Sequence, residues 1–207
     1  MITIVDYGMG NLKSVYNAFR IYEKNVAVSS DPKQIAAADG VILPGVGAFF
    51  RGMDNIRELG LIDTIRDVAA RKVPLLGICL GMQLFFEHSD EHGGSQGLGL
   101  VKGNVLQFQV QDLKVPQMGW NTVRFARNDN PLFADIDSES YFYFAHSFYV
   151  NPADTDITAG ITEYGISYTS SIRKETIYGT QFHPEKSSRD GLQIVSNFCD
   201  IVNKKMT

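Results

Sequence analysis

The first half of the chain alternates short apolar runs with segments whose hydrophobic residues recur every three or four positions. The apolar runs predict strands at 2–6, 25–29, 41–43 and 75–77. The three-to-four spacing predicts helices at 12–22 and 32–38, one longer helix with an apolar face from Ile56 to Val68, and a helix at 82–87. Strands that alternate with helices are typical of a parallel sheet covered by helices on both faces.

The second half, from about Gly97 onward, has a different pattern in which short β-like runs dominate. These runs predict strands at 100–108, 122–125, 141–150, 158–162, 166–172 and 177–182. A last helix is predicted from the apolar stripe formed by Leu192, Val195, Cys199 and Val202. No linker-like segment separates the halves. We therefore expect one α/β domain over 1–207, with a central, mostly parallel sheet flanked by helices and an antiparallel β extension.

Composition and charge narrow the class of protein. The chain has 19 Lys plus Arg against 23 Asp plus Glu, and a net charge of −4 does not attract nucleic acid or anionic lipid. The runs without a polar side chain are short, such as the ten residues from Val73 to Met82, against the roughly 18 that a membrane helix needs. Two cysteines cannot form a disulfide framework. We expect a cytoplasmic protein in a reducing compartment, with no nucleic-acid or membrane partner.

The segment around Cys79 carries the strongest chemical signal. A predicted strand runs into Gly77-Ile-Cys79-Leu-Gly81 and then into a helix, which has the form of a nucleophile elbow. Side chains at either glycine would crowd the sharp turn that lifts the nucleophile above the sheet. The start of a helix favours thiolate over thiol, and the amide of Leu80 is placed to act as an oxyanion donor. Cys199 instead lies on the apolar stripe of the last helix, as expected of a small buried hydrophobe.

A thiolate that attacks an acyl group needs a proton donor for the leaving group, and histidine is the usual choice. His183 follows a predicted strand and precedes Pro184 and Glu185, so the carboxylate can fold back onto the ring and fix its tautomer. This arrangement predicts a relay of Cys79, His183 and Glu185. His88 and His92 lie in a polar stretch and are expected to face solvent, whereas a satisfied, half-buried histidine is expected at His146.

These motifs resemble those of class I, or triad-type, glutamine amidotransferases, whose fold is flavodoxin-like, and the resemblance covers the whole chain. Its two signatures are GICLGMQ around Cys79 and HPE at 183–185. Within that family, further stretches resemble the glutaminase subunits of imidazole glycerol phosphate synthases: DYGMGNL at 6–12, LPGVGAF at 43–49, PQMGWN at 116–121 and HPEKS at 183–187. The resemblance therefore implies a glutaminase.

The implied reaction is hydrolysis of the glutamine side-chain amide through a glutamyl thioester on Cys79, with His183 as proton carrier and Glu185 as its support. No cofactor or metal is implied. The resemblance places the oxyanion hole at Leu80, Val46 and Gly47, and glutamine binding at Gly45, Gln83, Glu91, Ser147 and Phe148. The family commonly has tyrosine at the last of these positions, so a backbone role would survive the change but a hydroxyl role would not.

The sequence has no acceptor-binding region of its own, because it has no P-loop and Lys13 occupies the last glycine position of a dinucleotide fingerprint. A partner must then supply the acceptor site. The resemblance implies a heterodimer with a (β/α)₈ cyclase subunit that makes imidazole glycerol phosphate and aminoimidazole carboxamide ribonucleotide in histidine biosynthesis. It places the docking face over the glutaminase site, with Asn11, Trp120 and Lys186 as candidates. A core position for Trp120 and a plain surface charge for Lys186 are the alternatives.

Three other functions remain open at this point. The chain could be the glutaminase subunit of another synthase, such as pyridoxal phosphate synthase or anthranilate synthase, although PQMGWN argues against both. It could be a non-catalytic, flavodoxin-like binding module, in which Cys79 would not react with a glutamine-analogue electrophile. It could also be a cysteine peptidase with a similar elbow, which would cleave peptide or γ-glutamyl bonds without any partner.

Overall fold

The computed structural model describes residues 1–111, 113–127 and 129–204. Its α-helices are α1 (Leu12–Tyr22), α2 (Pro32–Ala36), α3 (Phe49–Glu58), α4 (Ile62–Ala70), α5 (Leu80–Leu84) and α6 (Ser188–Val202). Its strands are β1 (Ile2–Val5), β2 (Val26–Ser29), β3 (Gly40–Gly45), β4 (Leu75–Cys79), β5 (Phe86–Ser89), β6 (Ser95–Gln96), β7 (Val101–Gln107), β8 (Gln117–Phe125), β9 (Ser140–His146), β10 (Phe148–Pro152), β11 (Thr158–Glu163), β12 (Ser167–Lys174) and β13 (Ile177–Thr180). None of the helices in the described ranges is long and apolar enough to cross a bilayer.

Five parallel strands form the centre of the sheet, in the order β2-β1-β3-β4-β13. This is the flavodoxin-like strand order. Apolar residues fill β1, β3 and β4 almost without interruption because helices cover both faces. Gly45 pairs with Cys79, and Thr180 pairs with Ile78. The carboxyl ends of β3, β4 and β13 therefore meet at one edge of the sheet.

An antiparallel extension continues from β13 through β12, β10 and β7. Strand β5 then pairs with β7 in parallel, and β6 closes this side of the sheet. A branch leaves β12 through β11 and β8 to β9. The expected fold class, a mostly parallel central sheet with an antiparallel β extension, is confirmed. The branch matters for the site because β9 folds over the carboxyl edge of the central strands.

Helices α1 and α6 cover one face of the sheet together. Phe19 of α1 meets Phe198 of α6 edge-to-face, with ring centroids 6.1 Å apart. The stripe predicted on the last helix is confirmed, since Val195, Cys199 and Val202 are buried and Leu192 is partly buried against the same core. A second apolar cluster fills the opposite face, between the sheet and α2 to α5.

The predicted single helix with a face from Ile56 to Val68 is wrong, because the chain forms α3 and α4 with a break between them. Gly60 has φ +66°, a left-handed conformation that ends α3. The amide of Leu61 then donates to the carbonyl of Ile56 at 2.9 Å, which closes the helix terminus. Leu59 belongs to the predicted stripe but is exposed, whereas Leu61 is fully buried.

The predicted helix at 82–87 is also placed wrongly. Helix α5 begins at Leu80, ends at Leu84 and is followed by β5. The carbonyl of Leu84 accepts from the amide of Leu98 at 2.9 Å, and that of Phe85 accepts from Leu100 at 2.8 Å. Amides from a distant loop thus form hydrogen bonds with the carbonyls that would accept helical hydrogen bonds if α5 were longer.

Two strand predictions also need correction. The strand expected at 141–150 is two strands, β9 and β10, which are separated at Ser147. The strand expected at 122–125 begins five residues earlier, at Gln117, because β8 pairs with β9 along its whole first half. In both cases the partner strand decides where the ladder starts and stops.

Candidate active site

Cys79 stands at the junction of β4 and α5, in the sharp turn that the sequence predicts. Its φ of 54° and ψ of −109° are unusual for a residue with a Cβ atom and typify strained turns at functional sites. A Cβ atom at Gly77 would lie 2.6 Å from the amide nitrogen of Met82, and one at Gly81 would lie 1.7 Å from the carbonyl oxygen of Leu43. The prediction that both glycines are sterically required is confirmed.

His183 lies at the carboxyl end of the neighbouring parallel strand, where it is 2% exposed. Its Nδ1 lies 3.0 Å from Oε1 of Glu185, and both side chains are buried. Pro184 starts a short 3-10 turn, and the amide of Lys186 donates to the carbonyl of His183 at 3.0 Å. That turn brings the carboxylate back to the ring, as the His-Pro-Glu spacing predicts.

The other ring nitrogen of His183, Nε2, is buried and has no hydrogen-bond partner. Burial by itself lowers the pKa of His183, but the interactions with Cys79 and then with Glu185 outweigh it and raise the pKa to about 10. The ring is therefore protonated near neutral pH and sits beside the sulfur. The structure thus brings Cys79 together with His183 and Glu185, which lie more than a hundred positions further along the sequence.

A cavity of about 370 Å³ opens beside the sulfur, which is large enough for a small polar ligand. It is lined by Val46, Gly47, Cys79, Leu80, Gln83, Glu91, Pro116, Met118, Ala145, His146, Ser147 and Phe148. Seven of the residues predicted for the oxyanion hole and for glutamine binding are among them. The eighth, Gly45, lies behind this wall, where an added Cβ would be 2.2 Å from the hydroxyl of Tyr7.

The side-chain amide nitrogen of Gln83 is already hydrogen-bonded within the protein. Its Nε2 donates to the carbonyl of Phe148 at 2.9 Å and to Oε1 of Gln181 at 3.0 Å. Only its Oε1 is left to face a ligand, so Gln83 offers the cavity an acceptor. Phe148 takes part in this contact through its backbone carbonyl. The contact therefore does not need the hydroxyl of the tyrosine that the family commonly has at this position.

Glu91 carries the negative charge of the cavity wall and also supports the loop before α3. Its Oε2 accepts from the amide of Phe49 at 2.5 Å. Ala48, at the N-cap of α3, has no side chain that could satisfy this amide. Glu91 therefore links the cavity to the segment that begins with Gly45, Val46 and Gly47.

His146 forms part of the cavity wall, a position that the sequence did not indicate. As expected, it is a satisfied histidine: Nδ1 donates to the carbonyl of Phe148 at 2.8 Å, and Nε2 lies 3.3 Å from the hydroxyl of Tyr168. The expected half-buried position is wrong, because surrounding aromatic rings leave the residue only 6% exposed. Burial, and to a smaller extent the charge of His183, lowers its pKa to about 4. His146 is therefore neutral near pH 7.

This lowered pKa makes the stability of the fold depend on pH. The ordinary pKa of a histidine side chain is 6.5, so as pH falls from 6.5 to about 4 the unfolded chain takes up a proton at His146 that the folded chain does not. The free energy of unfolding should fall between pH 7 and pH 4, and we expect this fall to be smaller in His146→Gln by on the order of 3 kcal/mol. Urea denaturation at the two pH values measures it. The exposed His92→Gln serves as the control, and equal acid sensitivity in wild type and His146→Gln would contradict the assignment.

The remaining predicted residues lie outside the cavity. His92 is largely exposed, as expected, and the His88 side chain is 35% exposed. The interface candidates Asn11, Trp120 and Lys186 are all exposed, and Trp120, at 51%, is not a core residue. The rings of Trp120 and Tyr143 have centroids 6.2 Å apart, and Nζ of Lys186 lies 5.8 Å from the centroid of Tyr143.

Comparisons with known proteins show what this chain is similar to. The family model for glutamine amidotransferase class-I matches residues 3–202. The imidazole glycerol phosphate synthase subunit HisH of Moorella thermoacetica is 50% identical, over 97% of this chain and 95% of that protein. Subunit HisH 1 of Methanococcus maripaludis is 45% identical, over 98% of this chain and 100% of that protein.

A solved structure described as a glutamine amidotransferase superposes with a TM-score of 0.76 at 13% identity, covering 98% of this chain and 100% of that chain. At this level of identity, the superposition supports the fold alone. The family model and the two relatives extend over almost the whole sequence. This chain belongs to the class I glutamine amidotransferase family.

Proposed function

We propose that this chain is the glutaminase subunit of an imidazole glycerol phosphate synthase, and that it acts in the cytoplasm. The observation that carries the proposal is the buried His183, which interacts with Cys79, a residue of the cavity wall, while its Nδ1 binds Glu185. The names of the relatives support the choice of synthase. The overall reaction converts glutamine and water into glutamate and ammonia.

The first half of the reaction acylates the enzyme. The Cys79 thiolate attacks the side-chain amide carbon of glutamine and forms a carbon–sulfur bond, which places negative charge on the amide oxygen. His183 gives its Nε2 proton to the amide nitrogen, the carbon–nitrogen bond breaks, and ammonia leaves. A glutamyl thioester remains on Cys79. Glu185 keeps the Nδ1 proton in place and stabilises the imidazolium before transfer.

The second half releases glutamate. Neutral His183 accepts a proton from water at Nε2, and the resulting hydroxide attacks the thioester carbon. The carbon–sulfur bond breaks and the thiolate is restored. Because His183 is then protonated again, the ion pair returns to its starting state.

The oxyanion hole is assigned to the amides of Leu80 and of the Val46–Gly47 segment. Leu80 is the first residue of α5, so its N–H has no helical carbonyl to bind. Val46 and Gly47 line the same cavity. Glu91 and the Oε1 of Gln83 face a ligand as acceptors, which suits the α-ammonium group of glutamine. The backbone at Ser147 and Phe148 completes the wall.

Ammonia that escaped into neutral water would be protonated and lost as a nucleophile, so the acceptor site must be close to Cys79. A group of exposed apolar side chains supports docking of a partner near the cavity. They are Met118 and Trp120 of β8 and Tyr141 of β9, which are 66%, 51% and 62% exposed. The ring of Tyr143 contacts Trp120 and Lys186. Its backbone carbonyl accepts a hydrogen bond from the amide of His183 at 2.9 Å. The proposed partner is the cyclase subunit, in a heterodimer.

We expect the isolated chain to be a poor glutaminase that the cyclase subunit with bound acceptor stimulates by about tenfold or more, the scale of ordinary coupling between sites. The reason is that the oxyanion segment is flanked by glycines and lies under the proposed docking face. Glutamate release is measured with the chain alone and after co-purification with the cyclase, followed by an ammonia-transfer assay. Equal turnover in the two samples would count against the proposal.

Matched variants separate docking from general damage. Trp120→Ala should weaken association with the cyclase by roughly thirtyfold, as expected for a central aromatic anchor. Tyr22→Ala removes another exposed aromatic side chain, at the far end of α1, and should leave association unchanged. Equal affinities for the two variants would remove Trp120 from the interface.

A further inference from the structure

A buried hydrogen-bonded path runs from the carbonyl of Phe148 to the sulfur of Cys79. It passes through two side-chain amides, Gln83 and Gln181, and ends where Nε2 of Gln181 donates to Sγ at 3.6 Å. We infer that Gln181 is a further functional residue, which stabilises the Cys79 thiolate by donating an N–H to it. The inference rests on the proposed function, because it concerns the same nucleophile.

The direction of each hydrogen bond in this path is determined by its starting point. A backbone carbonyl can only accept, so the atom of Gln83 at 2.9 Å from the Phe148 oxygen must be its NH₂ group. The same nitrogen lies 3.0 Å from Gln181, whose facing atom must then be the amide oxygen. The NH₂ group of Gln181 is therefore the end that faces the sulfur.

The burial of Gln181 supports a role in stabilising the negative charge on the Cys79 sulfur. The side chain is 0% exposed, and the backbone amide of Gln181 donates to the carbonyl of Ser170 at 2.8 Å, so the residue is held at both ends. A buried N–H with a sulfur as its acceptor is better satisfied by thiolate than by thiol. Water does not compete for the donor at this position.

Titratable groups from the neighbouring elements lie around the sulfur and its histidine partner. His183 and Glu185 follow β13, Tyr7 follows β1, Tyr168 lies on β12, His146 lies on β9, and Glu91 lies on the opposite cavity wall. The midpoint that alkylation reports belongs to the interacting Cys79–His183 pair rather than to either group alone. Removal of the Gln181 donor should therefore shift the apparent midpoint of the pair, since the other groups are unchanged.

The test is the pH dependence of alkylation of Cys79 by iodoacetamide, a small electrophile that needs neither glutamine nor a partner. Labelling is read at Cys79 and Cys199 separately by peptide mass spectrometry. We expect Gln181→Met to raise the midpoint by about one pH unit, so that the rate falls about tenfold below the midpoint. Gln181→Glu, which replaces the donor with an acceptor of the same shape, should raise it further.

Ser171→Ala is the control, since Ser171 is buried on the adjacent strand β12 and donates to the carbonyl of Gly179 rather than to the site. It should leave the midpoint within about 0.3 pH unit of wild type. The inference is overturned if either folded Gln181 variant, verified by near-ultraviolet circular dichroism, keeps the wild-type midpoint. Failure of wild-type Cys79 to react faster than Cys199 would instead count against the proposed function.

Discussion

Replacement of Cys79 by alanine should abolish glutamine-driven synthesis in the assembled pair and leave ammonia-driven synthesis unchanged. Without the sulfur no thioester forms, and the loss in glutamine turnover should reach at least roughly four orders of magnitude. Ammonia supplied from solution bypasses this step. The two rates are measured on the same complex, with glutamine or an ammonium salt as nitrogen donor.

Cys199→Ala is the matched control, because Cys199 is equally buried but lies on α6, away from the cavity. It should retain both activities, with only a small loss of stability from the missing sulfur atom. If Cys79→Ala still used glutamine, Cys79 would not be the nucleophile. Loss of both activities would point to damage of the complex rather than of the chemistry.

Gly81→Ala should unfold or disable the protein despite the addition of a single methyl group. The new Cβ would lie 1.7 Å from the carbonyl oxygen of Leu43, which is held in β3 between two parallel neighbours and cannot move aside. We expect a loss of about 3 kcal/mol or more in the free energy of unfolding, at the upper end for overpacked sites. The elbow would also be displaced, so glutamine hydrolysis should be lost with it.

Urea denaturation and glutamate release measure the two effects. Gly52→Ala is the control, since Gly52 is also a packed glycine in a helix but an added Cβ there would meet only flexible Leu84 and Leu80 side-chain atoms at 3.3 Å or more. It should be close to neutral or slightly stabilising, because alanine favours helix. A Gly81→Ala protein as stable and active as wild type would show that the elbow does not need this close approach.

The periodicity of the sequence predicted most elements of the fold, and its errors have two physical causes. The break at Ser147 and the early end of α5 involve bonds to distant segments, such as the Leu98 amide on the Leu84 carbonyl, whereas the break at Gly60 is a local left-handed turn. The side-chain pattern around Ile56–Val68 remains helical on both sides of the break. Hydrophobic spacing reports which face is buried, and it does not report where a helix is interrupted.

The sequence by itself determined the elbow at Cys79 and the pairing of His183 with Glu185. Both depend on local geometry: glycines two positions either side of the nucleophile, and a proline turn that returns a carboxylate to the ring two positions away. Because these constraints involve only residues close together in the sequence, they can be predicted without knowledge of the fold.

Only the tertiary structure decided that Gln181 donates to the sulfur, that His146 forms part of the cavity wall, and that Glu91 binds the amide of Phe49. Each of these contacts joins segments that are distant along the chain and come together at one edge of the sheet. A glutamine or a histidine in a strand has no spacing that marks its partner. The hydrogen-bonding atom it will meet is set by strand order and register, which the packing of the whole sheet decides.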